Sequence, residues 1–200
     1  YEIDNVDKLS DNGRYCSIDL GVNNLATIGS NVIKPIIING RPIKSINQFY
    51  NKMLSKGRKM NNKRNFKVDD YLHKASKYLV NHLVSNDIPI LIIGHNKGWK
   101  QDINIGKVNN QKFVQIPHSR FIDMIKYKCD KVGINVIETE ESYTSKCSFK
   151  DSEDLKFHEK YLGKRVKRGL FRNSDGSLIN ADLNGALNIL RKVIGEYIYP

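Results

Sequence analysis

The run IPILIIG, residues 88–94, constrains the fold more than any other stretch of this sequence. It is short, and nearly every residue in it is apolar. A strand with one face in water alternates apolar and polar residues, and this run does not alternate. We therefore expect a central strand with other layers packed on both of its faces.

Three further apolar runs precede this strand: YCSIDL, LATIGS and VIKPIIING. Turn-forming residues separate them, so they are predicted to form a meander of three antiparallel strands. The segment INQFYNKMLSKGRKMNNKRNFKV (46–68) is rich in Lys, Arg and Asn and indicates a basic helix or helical pair, broken near Gly57. Apolar side chains at helical spacing then predict an amphipathic helix in residues 69–87.

The second half continues with helix and strand signals in alternation. SRFIDMIKYKCDKVG predicts a helix that ends at Gly133, INVIETEESY predicts a strand, and the last 20 or so residues predict a helix with Asn180 as its N-cap. Residues 145–178 are charged and are expected to be irregular. This order is the layout of an RNase H-like domain. We predict one α/β domain over residues 1–200: a mixed sheet with an antiparallel three-strand meander and flanking helices.

Charge points to a polyanionic partner. Lys and Arg total 33 and Asp and Glu total 21, which gives a net charge of +12. Such a surplus favours nucleic acid over a membrane surface. No apolar run approaches the ~20 residues that span a bilayer, so no membrane partner is expected. Three widely separated cysteines indicate a reducing compartment without a disulfide framework.

Two aspartates stand where carboxylates need an explanation. Asp19 lies inside the apolar run YCSIDL, and Asp182 lies in the first turn of the last helix with small residues around it. Small residues would let that helix approach the strand that carries Asp19. Several converging carboxylates are what a two-metal nuclease requires to hold Mg²⁺. Each residue also has an ordinary interpretation, as a strand-edge aspartate and as a helix-start aspartate that interacts with the helix dipole.

The segments SIDLGVNNLAT and NADLNGALNIL together resemble the RuvC-type nuclease domain of TnpB proteins, the insertion-sequence proteins often labelled transposase OrfB. Fanzor proteins and type V CRISPR effectors are relatives of that family. GWKQ, NNQKFVQIP and SYTSK occur between the two segments in the family's order, so the resemblance covers nearly the whole chain. It implies that Asp19 is the first catalytic aspartate and Asp182 the last.

The third acid departs from the usual family pattern. Most members place a glutamate at the end of the central strand, where this chain has Gly94 and His95. Fanzors and a subset of TnpB proteins carry it on the later strand, shortly before the Thr-Ser of the YTS motif. By that resemblance Glu141, three residues before Thr144, is the predicted third catalytic residue and Mg²⁺ ligand. Glu140 is the alternative. Strand alternation lets only one of the two face the metals, and Glu138 shares a face with Glu140.

Many family members hold a structural zinc with two Cys-x-x-Cys pairs before the last aspartate. Residues 145–178 offer only Cys147 and His158, so no zinc is expected and this segment is predicted to be a degenerate insertion. Basic residues near aromatic ones suit nucleic-acid binding through phosphate pairing and stacking. The predicted nucleic-acid-binding residues are Lys97, Trp99, Lys100, Lys164, Arg165, Lys167, Arg168 and Arg172.

The resemblance implies RNA-guided cleavage of DNA by two Mg²⁺ ions, for which Mn²⁺ can substitute, with a transposon-encoded guide RNA and a DNA target as partners. Family members carry N-terminal modules that hold the RNA and read a motif beside the target, and this chain is expected to lack them. The alternative is a decayed TnpB-like protein that binds DNA under RNA guidance as a repressor. The prokaryotic cytoplasm is the expected location, or a nucleus or virus if the chain is Fanzor-like.

Overall fold

The computed structural model describes residues 6–58, 62–95 and 116–200. These residues form a mixed α/β fold with a five-stranded mixed sheet, a separate three-stranded sheet and four helices. The large sheet contains β1 (Tyr15–Leu20), β2 (Asn24–Ser30), β3 (Ile36–Asn39), β4 (Ile90–Gly94) and β5 (Asn135–Thr139). The helices are α1 (Arg41–Ser55), α2 (Lys63–Ser85), α3 (His118–Asp130) and α4 (Ala181–Ile194).

The strand order of the large sheet is β3-β2-β1-β4-β5. The β1–β2 and β2–β3 pairs are antiparallel, which confirms the predicted three-strand meander. The β1–β4 and β4–β5 pairs are parallel. The carboxyl ends of β1, β4 and β5 therefore meet at one edge of the sheet, and side chains at these ends can converge.

Alternation along β1 divides the fold into two layers. Cys16 and Ile18 belong to the main apolar cluster, to which α2 and α3 also contribute. Ser17 faces the other way, and its hydroxyl donates a hydrogen bond to the Ala186 carbonyl of α4 at 2.6 Å. Because successive side chains on a strand point to opposite faces, Asp19 shares the α4 face with Ser17.

The central-strand prediction for residues 88–94 is confirmed. Leu91 and Ile93 pack in the main cluster, while Ile92 packs with Ile189 and Leu190 of α4. All three β4 side chains have no exposed surface. A strand covered on both faces explains why this run contains no polar alternation.

The helices agree with the sequence patterns. The basic segment forms a helical pair, α1 and the start of α2, and Gly57 lies in the turn after α1 with φ +70°. Asn180 caps α4, and its side-chain oxygen accepts hydrogen bonds from the backbone N–H groups of Asp182 and Leu183. No helix in the described ranges is long and apolar enough to cross a bilayer.

The prediction that residues 145–178 are irregular is wrong for the second half of this segment. A small antiparallel sheet forms there from β6 (Lys164–Lys167), β7 (Leu170–Arg172) and β8 (Leu178–Asn180). The strands are only three or four residues long, and β6 is mostly charged. Sequence periodicity therefore gave too little signal to distinguish them from a loop.

A buried carboxylate ties the insertion together. Glu153 is 4% exposed, and its two oxygens accept hydrogen bonds from the backbone N–H groups of Ser148 and Leu162, both at 2.7 Å. The Arg191 guanidinium of α4 donates to the Glu153 carbonyl. Glu153 thereby joins the turn after β5, the segment before β6 and the last helix.

We expect Glu153→Ala to lower the free energy of unfolding by about 3 kcal/mol, because two buried N–H donors lose a charged acceptor. Urea denaturation monitored by circular dichroism measures this loss. Glu159→Ala, which removes an exposed carboxylate from the same insertion, is the matched control and should change the free energy by less than about 0.5 kcal/mol. Equal stabilities of the two variants would contradict the role of Glu153.

Candidate functional site

A cavity of about 340 Å³ opens at the carboxyl edge of the parallel strands. Residues from the ends of β1 and β2, the turn after β5, β6 and the start of α4 line it. They are Asp19, Leu20, Gly21, Asn24, Thr27, Glu141, Thr144, Ser145, Arg165 and Asp182. The structure thus brings the three predicted catalytic carboxylates into one cavity, although more than 120 residues separate the first from the second.

Asp19 lies directly against α4. A Cβ atom placed on Gly185 would come within 2.7 Å of the Asp19 Oδ2 atom. A glycine at this position allows the helix and the carboxylate to approach so closely. This contact is the physical reason for the small residues that precede and follow Asp182 in the sequence.

Glu141 fills the space beside the end of β4. A Cβ atom placed on Gly94 would come within 2.7 Å of the Glu141 Oε1 atom and 2.9 Å of its Cγ atom. The Glu141 carboxyl group therefore occupies the place into which a side chain at position 94 would project. The Glu141 carboxyl group, delivered from the turn after β5, thus lies beside the end of the central strand.

The other acidic candidates point elsewhere. Glu140 is exposed and lies beside Lys192 and Ser142, and Glu138 pairs with Lys126 and His95. Strand β5 ends at Thr139, so Glu140 and Glu141 both lie beyond the strand. Strand alternation therefore does not separate Glu140 from Glu141, and the shape of the turn does.

Asp182 is held in the first turn of α4. Its Oδ2 atom accepts a hydrogen bond from the Asn24 side chain at 2.8 Å. Its Oδ1 atom accepts one from the Arg165 guanidinium at 3.0 Å. Arg165, predicted from the sequence to bind nucleic acid, therefore lies at the cavity itself.

Burial and like charge act together in this cavity. Burial raises the pKa of Asp19 well above its ordinary range, the charges of Glu141 and Asp182 raise it further, and Arg165 lowers it. Burial raises the pKa of Glu141 to about 7. Carboxylates crowded in this way favour a bound cation, because a cation compensates both the lost hydration and the mutual repulsion.

The carboxylates are not yet arranged as a closed metal site. Across residues 6–58, 62–95 and 116–200, no three His, Cys, Asp or Glu side chains are gathered tightly enough to hold an ion. Both oxygens of Asp182 are engaged by Asn24 and Arg165 instead. The set of oxygen donors nevertheless fits Mg²⁺, which prefers carboxylates and retains several waters.

Two buried asparagines of α4 position the turn that carries Glu141. The Asn188 side chain donates to the carbonyls of Thr144 and Cys147, at 2.9 and 2.8 Å. Asn184 donates to the Cys147 carbonyl and accepts from the Phe149 N–H. Their spacing of four residues indicated a shared helix face, but no sequence signal revealed the turn that they bind.

The predicted nucleic-acid-binding residues fall into two groups. Lys164, Arg165, Lys167, Arg168 and Arg172 are all exposed on the β6–β7 hairpin, whose bulge lies between Arg165 and Lys167. Lys97, Trp99 and Lys100 lie outside the described residues, so their predicted role stays a prediction.

Parts of this chain match known proteins in sequence. Residues 118–189 match the family model described as Cas12f1-like, TNB domain. A TnpB-like protein, ORF457 of Acidianus two-tailed virus, is 34% identical over 83 residues, which cover 41% of this chain and 16% of that protein.

Two solved structures share the fold. A Cas12f1–sgRNA–target DNA complex aligns over 91% of this chain and 50% of its own, with a TM-score of 0.64 and 18% identity. A CRISPR-Cas12f ternary complex aligns over 94% of this chain and 40% of its own, with a TM-score of 0.63 and 16% identity. The chain therefore spans half or less of the length of each of these relatives.

The raised pKa of Glu141 predicts a pH-dependent stability in the absence of metal. Folded protein binds more protons than unfolded protein between pH 4.5 and about 7, so the free energy of unfolding falls as pH rises through this window. In EDTA at pH 8, we expect Glu141→Gln to be more stable than the unmodified chain by on the order of 2 kcal/mol, and at pH 4.5 we expect little difference.

Urea denaturation between pH 4.5 and 8 checks this expectation. Glu140→Gln is the control, because Glu140 is exposed and should leave the pH profile unchanged. Parallel pH profiles for Glu141→Gln and the unmodified chain would show that the Glu141 carboxyl is not protonated on folding.

Proposed function

Because its matches support a TnpB/Cas12f-like family member, we propose that this chain is the RNase H-like, RuvC-type nuclease domain of an RNA-guided DNA endonuclease encoded by an insertion sequence. One observation carries the proposal: Asp19, Glu141 and Asp182 come from three distant elements and line one cavity. A nuclease needs such convergence, whereas DNA binding alone does not require three carboxylates in one partly buried cavity. We assign residues 1–200 to a single domain that includes a degenerate insertion over 145–178.

Asp19, Glu141 and Asp182 would hold two Mg²⁺ ions. Bound there, the ions supply an activated water as the nucleophile and charge stabilisation for the leaving oxygen. Arg165 now compensates Asp182, and its exposed guanidinium lies where a scissile phosphate would approach. Asn184 and Asn188 keep the turn that follows Glu141 fixed against α4, so that the Glu141 carboxyl group stays at the cavity.

The positive charge of the chain and its structural relatives both favour nucleic acids as partners. The structural relatives are complexes with sgRNA and target DNA, and we propose that this chain also acts on DNA under RNA guidance. The exposed cations of the β6–β7 hairpin, one of which is at the cavity, suit a phosphate backbone. We further propose that the whole protein has modules that hold the guide RNA and recognise the target DNA.

The competing function is an RNA-guided DNA-binding repressor without cleavage. Gly94 at the usual glutamate position favours it, and the placement of the Glu141 carboxyl beside Gly94 argues against it. Cleavage of DNA decides between the two functions.

The first experiment measures Mg²⁺-dependent DNA cleavage by the intact protein with its co-purified RNA. Asp19→Ala and Glu141→Ala should each lower the rate about 1000-fold, because several kcal/mol of transition-state stabilisation are lost. Glu140→Ala is the matched control and should cleave normally. Tight guided binding without cleavage by the unmodified protein would establish the repressor.

Exchanging the residues at positions 94 and 141 tests whether the glutamate can act from either position. Glu141→Gly combined with Gly94→Glu returns the carboxylate to the central strand and removes the Glu141 atoms with which it would collide, so that only the end of the Ile189 side chain must move. We expect the double variant to recover at least about tenfold of the rate lost in Glu141→Gly alone. No recovery in a variant that still folds and binds DNA would show that position 94 does not reach the metal-holding place.

The salt dependence of DNA binding tests the role of the β6–β7 hairpin. Lys167→Ala with Arg168→Ala should weaken DNA binding and reduce the slope of log K against log salt by up to about 2, one per lost phosphate contact. Lys74→Ala with Lys77→Ala removes the same charge from α2, which packs on the opposite face of the sheet, and should leave the slope unchanged. Equal slopes for the two pairs would contradict the assignment.

A further inference from the structure

Thr27 is part of the carboxylate cavity, although no sequence signal identified it. It lies on β2 directly opposite Asp19 in the β1–β2 register. Directly opposed residues of an antiparallel pair project from the same face of the sheet. Thr27 therefore shares the α4 face with Asp19, and it is one of the residues that line the cavity.

The Thr27 hydroxyl is buried without compensation. The residue has no exposed surface, and its Oγ1 atom has no hydrogen-bond partner among the described residues. Buried hydroxyl groups in folded proteins are nearly always paired, because desolvation without a partner is unfavourable. Valine has the same shape and would fill this position on a buried strand without that cost. The hydroxyl is therefore explained by something that enters the cavity.

We propose that Thr27 is a positioning residue that orients the water shell of the cation held by Asp19, Glu141 and Asp182. This inference rests on the proposed function. Mg²⁺ retains several of its waters when proteins bind it, and these waters need acceptors that are not themselves ligands. A hydroxyl group that has no other partner can accept a hydrogen bond from such a water.

A role in packing alone predicts different behaviour. If only the shape of Thr27 matters, valine replaces it without consequence for ion binding, and serine, which lacks the methyl group, is the worse substitute. If the hydroxyl matters, the order is reversed: serine preserves ion binding and valine impairs it. Without metal, Thr27→Val should be at least as stable as the unmodified chain, because it removes an uncompensated polar group.

The experiment measures Mg²⁺ binding by calorimetry and urea denaturation in EDTA for the intact chain, Thr27→Val and Thr27→Ser. We expect Thr27→Val to raise the Kd for Mg²⁺ about tenfold, in the range found when groups that orient metal ligands are removed. Its denaturation midpoint should equal or exceed that of the unmodified chain. Thr27→Ser should keep the Kd within about twofold despite a lower midpoint.

The variant Asp19→Asn distinguishes a failure of the Thr27 role from a failure of the proposed metal-dependent function. If the unmodified chain binds Mg²⁺, Asp19→Asn loses binding and Thr27→Val binds normally, the role of Thr27 is overturned and the proposed function stands. Equal weakening by Thr27→Val and Thr27→Ser assigns the effect to packing and also overturns it. If the unmodified chain binds neither Mg²⁺ nor Mn²⁺, the proposed metal-dependent function fails and the role of Thr27 fails with it.

Discussion

The close approach of α4 to the sheet is the constraint on which the rest of the structure depends. The Ser17 hydroxyl bonds to the Ala186 carbonyl, Gly185 leaves room for the Asp19 carboxylate, and a Cβ atom on Gly29 would come within 3.0 Å of the Leu187 side chain. Glycine and serine at these positions bring the backbone of the helix down onto β1 and β2. Larger residues would lift the helix away and separate Asp182 from Asp19.

This approach creates an electrostatic problem as well as a cavity. Three carboxylates are concentrated in a partly buried space in which Arg165 provides the positive charge. The surrounding protein carries a large positive surplus, but its other hairpin cations are exposed to solvent. The fold thus separates a cavity lined by carboxylates from a largely positive surface.

Sequence patterns predicted the parts of this molecule that are governed by local rules. The apolar run of β4, the meander, the Asn180 cap and the helix turn at Gly57 follow from short-range periodicity and capping chemistry, and the structure confirms them. The strands of the insertion were missed because each has only three or four residues, too few to show a periodicity. The Glu153 contacts and the pairing of Thr27 with Asp19 depend on which segments become neighbours, which no local pattern contains. Glu141 was favoured over Glu140 by a family resemblance, and the separation of the two side chains arises from a turn beyond the end of β5.

The shared space beside Gly94 and Glu141 also limits the evolutionary routes open to such a chain. A side chain at position 94 would collide with the Glu141 carboxyl group and with the Ile189 Cδ1 atom at 2.4 Å, so this packing does not accommodate both glutamates at once. Returning a side chain to position 94 therefore requires the Glu141 carboxyl group to move or to be lost, so positions 94 and 141 are expected to vary together.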